Sequence, residues 1–110
     1  MLFEVRSTTV GGRAVLRVRG ELDLLTAPQL AQAVQAQLSS SPSSMIIDLT
    51  DTTFLDSSGA RQLVLAARQA GGSGTVLQLL CPPDNKPVQL VLRLLELGKV
   101  VPILDSSTLT

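Results

Sequence analysis

The chain has 110 residues, 45% of them hydrophobic and 16% charged, which gives enough apolar material for one buried core and excludes a disordered chain. Nine basic residues balance nine acidic ones, so no electrostatic footprint for nucleic acid or an anionic membrane exists. With two aromatic residues, no histidine and one cysteine, the chain has no stacking platform, no imidazole base and no internal disulfide.

Phe3 to Thr9 alternates in polarity, and so does Ala14 to Arg19. Gly11-Gly12 lies between them and predicts a hairpin turn, because glycine reaches positive φ at little cost. The chain therefore opens on an antiparallel pair. Thr26 is placed as an N-cap and Pro28 in the first turn of a helix over Ala27 to Leu38. Leu30, Val34 and Leu38 form its inward stripe. A Ser/Pro loop, Ser39 to Ser44, leads to a strand over Met45 to Leu49. Its uninterrupted apolar character predicts a central position.

A short turn-rich link carries the chain to Phe54-Leu55 and then to Asp56-Ser57-Ser58-Gly59, ahead of a helix over Ala60 to Ala70. Gly71-Gly72 reads as its C-cap region. A strand over Thr75 to Leu80 and a Pro-rich loop from Cys81 to Asn85 precede a third helix, Lys86 to Leu97, with Gly98 beyond its end. That helix is apolar over most of its circumference. Leu90, Leu94 and Leu97 are either buried more than usual or an exposed association patch. Val100 to Leu104 reads as a last strand. Strands alternating with helices imply crossovers and a parallel portion of sheet.

The most chemically suggestive residues lie in the Asp56 to Gly59 loop. A helix N-terminus stabilises added negative charge through its free N–H groups and its dipole, so the loop can accept a phosphate. Taken alone, Ser57 reads as a helix N-cap. Asp56 reads either as an Asx-turn residue or as a contact residue, and Gly59 relieves crowding where the helix meets the sheet. Cys81 lacks any neighbour that lowers a thiol pKa and reads as a small buried thiol. Asp48 and Asp51 read as strand-end polar residues; no set of metal ligands and no cofactor motif is present.

Two blocks carry a family resemblance. Asp56-Ser57-Ser58-Gly59 after an apolar strand resembles the phosphoserine loop of bacterial anti-sigma factor antagonists, the small STAS-domain proteins. Gly20-Glu21-Leu22-Asp23-Leu24-Leu25-Thr26-Ala27 resembles the G-E-L/I-D-x-x-T-A element of the same family. The likeness runs from about residue 3 to residue 104. It implies a single STAS domain over residues 1–110, an α/β fold whose mixed β-sheet has an N-terminal antiparallel pair and helices mainly on one face.

By the same resemblance Ser57 is the phosphorylation site and Ser58 the cap. Asp23, Asp56, Ser57, Ser58 and Gly59 form the partner-binding surface. The implied function is to bind an anti-sigma factor, often a serine protein kinase, in the dephosphorylated form and release a sigma factor. Phosphorylation of Ser57 switches the antagonist off, and a phosphatase is a further partner. The resemblance implies a bacterial, cytoplasmic protein, monomeric or weakly dimeric.

The alternative is a stressosome- or transporter-type STAS scaffold. No catalytic residue is assigned: a serine hydrolase lacks its histidine, and a response regulator lacks its acidic pair. No signal-peptide pattern opens the chain and no membrane span is long enough. Two departures from the family pattern stand out. Ala60-Arg61-Gln62-Leu63 replaces the usual L-x-x-L, and the polar tail from Asp105 to Thr110 leaves little room for a C-terminal helix.

Overall fold

The structure is a computed structural model that describes residues 2–105. The tail expectation therefore falls, beyond Asp105, outside the described residues. Strands β1 (Glu4–Val10) and β2 (Arg13–Leu22) pair antiparallel, and Val10 faces Arg13 across a two-residue turn. Gly11 and Gly12 both have positive φ, +59° and +80°, as a right-handed hairpin twist requires. Helix α1 (Ala27–Leu38) follows, then β3 (Ser44–Asp48), β4 (Thr52–Leu55) and helix α2 (Ser57–Gly72). The chain continues through β5 (Val76–Leu80), α3 (Lys86–Leu94), a 3-10 turn over Leu97–Lys99 and β6 (Ile103–Leu104).

The sheet order is β1-β2-β3-β5-β6, and every pair beyond the first is parallel. Along that order the chain steps in one direction from β2 to β6, with β4 off the path beside the end of β2. Right-handed crossovers taken in one direction put all their helices on the same face. The packing follows that rule. Leu16, Val18, Met45, Ile47 and Leu79 meet Leu30 and Val34 of α1, Leu63 and Ala66 of α2, and Val88 and Leu92 of α3 in one core. On the opposite face the buried apolar cluster among the described residues is small, Val15, Ile46 and Leu80, with Val10 and Leu104 at the margin. Asp48 sits on that helix-free side, paired with Arg17 at 3.6 Å and accepting from Thr50 N, so it is the strand-end polar residue expected.

Five local expectations change. The link before Phe54 is a strand: β2 is ten residues long and β3 covers only Ala14 to Arg17, so Gly20 to Leu22 take β4 as a second parallel partner. Asn85 secures that step, donating from Nδ2 to the carbonyls of Leu49 and Thr52, both at 2.9 Å. Helix α2 runs through Gly71 and Gly72, and its C-cap is Ser73. Helix α3 stops at Leu94 because Glu96 takes the left-handed conformation, φ +55°, which lets Leu97 turn back into the core. Burial of Leu97 offsets the strain of a non-glycine residue there. Leu90 and Leu94 point outward while Leu97 is 3% exposed, so the leucines do not form one stripe. The last strand is shortened to two residues.

Candidate functional site

The parallel strands β2 and β4 end side by side, with Leu22 in register with Leu55. The chain leaves β2 into the loop 23–26 and leaves β4 into α2. The two sequence blocks therefore meet at the C-terminal edge of the sheet. This is where the crossover geometry of α/β folds gathers functional loops.

Asp56 is the N-cap of α2. Its backbone is extended, and its Oδ1 accepts from Gly59 N at 2.8 Å. The cap is therefore Asp56, correcting the expectation that Ser58 serves. A carboxylate on Cβ reaches the third helical N–H from an extended residue, and Ser58, already inside the helix, lacks that backbone. Ser57 is the first helical residue and is exposed; Ser58 is half-buried. Among the described residues the Ser57 hydroxyl has no hydrogen-bond partner. The first-turn N–H groups of Ser57 and Ser58 have no intrahelical acceptor, which gives an incoming anion two donors and the dipole end.

Gly59 sets how close this turn sits to the sheet. A Cβ there would stand 2.3 Å from the Leu22 carbonyl oxygen and 2.8 Å from Leu55 Cδ1. Asp56 N also points at the Leu22 carbonyl, at 3.4 Å. The seryl turn is thus seated on the last residue of β2.

Asp23 is half-buried, with one carboxylate oxygen engaged inside its own loop. Its Oδ1 accepts from Leu25 N at 3.0 Å and Thr26 N at 3.1 Å. Thr26 Oγ1 accepts from Asp23 N at 2.9 Å and donates to the Glu21 carbonyl at 2.7 Å. Thr26 therefore precedes α1 without capping it through its side chain, because its hydroxyl is spent closing the loop. Sequence reasoning missed what this loop displays, which is Leu24 and Leu25 directed outward. The signal was present in the two apolar residues inserted between Asp23 and Thr26.

Beside the site, an open groove of about 680 Å³ lies between the β3–β4 link and the start of α3, lined by Arg19, Asp51, Asp84 and Asn85 among others. Ser57 is not among the residues that line it. Cys81 is fully buried, and burial, reinforced by the charges of Asp48 and Asp84, pushes its thiol up to about 11. It is the inert thiol the sequence suggests. Among the described residues no helix is long and apolar enough to cross a membrane.

Comparison with known proteins agrees with this geometry. The chain is 37% identical over 62 residues to the anti-sigma-F factor antagonist RsfB of Mycobacterium tuberculosis, a match covering 56% of this chain and 51% of the relative. The match thus spans about half the length of the curated relatives. The crystal structure of an anti-sigma factor antagonist from Mycobacterium paratuberculosis superposes with a TM-score of 0.85 at 26% identity, covering 96% of this chain and 88% of that one. The anti-sigma factor antagonist SpoIIAA in its unphosphorylated form shares the fold, with a TM-score of 0.72 at 23% identity over 97% and 90% of the two chains. A family model described as Mlab, STAS domain, matches residues 5–104, so with the hairpin, the one-sided helices and the seryl turn in place, the chain belongs to the STAS domain family.

Proposed function

We propose that this protein is an anti-sigma factor antagonist whose dephosphorylated form binds an anti-sigma factor and thereby frees a sigma factor. The observation that carries the reading is the exposed Ser57 hydroxyl, without a hydrogen-bond partner among the described residues, on the first turn of α2 beside the Asp23 loop. The likeness to RsfB favours this reading over a stressosome- or transporter-type scaffold. In this reading the partner is a serine protein kinase that phosphorylates Ser57 with ATP, and a phosphatase resets the switch. The antagonist contributes no catalytic group. Its residues form one cytoplasmic STAS domain over residues 1–110, monomeric or weakly dimeric.

The switch acts through local electrostatics. A phosphoserine adds about −1.5 to −2 charge at pH 7. In free protein the charge is hydrated and faces the first-turn N–H groups. Under a bound partner it must be desolvated beside Asp56, which costs several kcal/mol. A loss of about 2.8 kcal/mol already weakens binding a hundredfold. No change of fold is required.

The test is to incubate the protein with ATP and each purified anti-sigma kinase of its source organism, locate the phosphate by mass spectrometry, and titrate binding calorimetrically. Phosphate on Ser57 is expected, with Ser57→Ala binding constitutively and Ser57→Asp binding at least a hundredfold more weakly. Equal affinity of the two variants and the phosphorylated protein, or modification confined to another serine, would refute the reading.

A further inference from the structure

Helix α3 turns an apolar ridge to water. Val88 and Leu92 are buried in the core, whereas Leu90 is 53% exposed and Leu94 71%. At about 100° per residue, Leu90 lies nearly opposite Val88 and Leu92, and Pro87 and Leu94 flank it on one side. Lys86 and Arg93, both exposed, flank it on the other side, two turns apart. The outer face of α3 therefore has an apolar edge and a basic edge side by side.

The fold accounts for neither edge. Two leucines one turn apart stay in water, although the hydrophobic effect favours burying each. Among the described residues the side chains of Lys86 and Arg93 have no hydrogen-bond or ion-pair partner. Lys86 also stands in the first turn of α3, where the helix dipole disfavours a cation. No acidic residue lies within the helix. Asp84 precedes it, and Glu96, which follows it, is bound to Lys99 at 3.1 Å.

The charges select the occupant. In an antiparallel pairing of two copies, a two-fold axis brings each edge against the same edge, so Lys86 of one copy approaches Arg93 of the other and the cations repel. In a parallel pairing the basic edge meets Pro87 and Leu94 and finds no anion. A bilayer would receive two leucines and a proline, too little apolar area to hold a domain at its surface. A helix of another protein, with leucine-type residues at i and i+4 and carboxylates along one flank, satisfies both edges. The i, i+4 rows of two helices interdigitate, and carboxylates make charge-assisted bonds to Lys86 and Arg93.

We propose that the outer face of α3 is a second docking surface, which takes an acidic amphipathic helix of a partner protein. Leu90 and Leu94 supply the apolar contact, and Lys86 and Arg93 fix the partner's direction and register. The surface is small beside a standard interface and its charges are exposed, so the complex is transient and salt-dependent. It forms whether or not Ser57 carries a charge.

The experiment uses the whole protein and a synthetic fluorescent helix with leucines at i and i+4 and glutamates along one flank. A counterpart with lysine in place of each glutamate is the charge control. Anisotropy titrations are run at low and high salt. The acidic helix is expected to bind in the micromolar range, at least tenfold more tightly than its counterpart, and to weaken as salt rises. Leu90→Ser/Leu94→Ser and Lys86→Glu/Arg93→Glu should each lose tenfold or more, with unchanged circular dichroism. Val76→Ser, an exposed apolar change on β5, and Ser57→Asp should both bind within twofold of wild type.

No binding of the acidic helix, equal binding of the two helices, or a leucine variant within twofold of wild type would overturn the proposal. So would loss of binding in Ser57→Asp, which would move the contact to the seryl edge. A wild-type dimer in sedimentation that the leucine changes dissolve, or binding to phosphatidylglycerol vesicles that the same variants abolish, would overturn it in favour of a second copy or a membrane. Phosphorylation of Ser57 by an anti-sigma kinase is a separate measurement, so the antagonist reading and this one can each fail alone.

Discussion

Gly59→Ala tests whether the seryl turn is seated as tightly as the geometry indicates. The new methyl group would lie 2.3 Å from the Leu22 carbonyl oxygen, 2.8 Å from Leu55 Cδ1 and 3.0 Å from the Leu22 carbonyl carbon. The leucine methyl can swing away, but the carbonyl is fixed in β2, which pairs with β4 at this residue. Restoring ordinary separation requires the first turn of α2 to retreat by roughly 1 Å. That retreat strains the Asp56 cap and the approach of Asp56 N to Leu22.

Overpacking costs about 1–3 kcal/mol and a weakened cap about 0.5–2 kcal/mol, against a helix-propensity gain of about 1 kcal/mol for alanine over glycine. The steric and capping costs prevail, with a net loss near 2 kcal/mol. For a domain of this size that lowers the melting temperature by roughly 8–16 °C. Calorimetric melts of the variant and wild type give the measurement. Gly71→Ala is the internal control: beyond its chain neighbours and its own helix backbone nothing lies within 4 Å of the added Cβ, and it sits in the same helix. It should be neutral or stabilising by up to about 1 kcal/mol. If Gly59→Ala melts at or above the wild-type temperature, the contact with Leu22 is not rigid and the reasoning fails.

Three other outcomes follow from the same coordinates. Ser57→Asp should shift stability by less than about 0.5 kcal/mol, because the α2 N-terminus attracts the new charge about as strongly as Asp56 repels it; a chemical denaturation curve displaced beyond that refutes the balance. Leu94, 71% exposed, should tolerate Leu94→Glu with an unchanged fold and melt, whereas Leu97→Glu should unfold the protein by burying an unpaired charge; circular dichroism of the pair distinguishes them. Cys81 should resist iodoacetamide at pH 8 in the native state and react on denaturation. Because its folded pKa lies above the ordinary 9.0, the unfolded chain releases this proton first, so stability should decline as pH rises from about 9 to about 11 and be flat for this group below that window. A Cys81→Ala variant that keeps the same alkaline decline would assign it elsewhere.

The sequence by itself determined the local elements and the order in which they come. Two adjacent glycines demanded a hairpin turn, the stripe of Leu30, Val34 and Leu38 placed α1, and the unbroken apolar run from Met45 made β3 central. Both blocks that carry the family resemblance were legible because they rest on short-range chemistry: small polar residues ahead of a helix. The strand at Thr52–Leu55 was not legible, since its four residues become a strand only when the unmatched end of β2 offers them a partner. Nor was the early end of α3, where burial of Leu97 outweighs the strain at Glu96. The roles within the site likewise needed the third dimension. Ser58 and Asp56 are both able to cap, and only backbone conformation gives the cap to Asp56 and leaves Ser57 free. The bonds of the Asp23 carboxylate within its own loop, and the outward direction of Leu24 and Leu25, likewise appear only in the folded chain. Side-chain chemistry is written in the chain, but the direction a side chain faces is settled by which distant backbone it packs against.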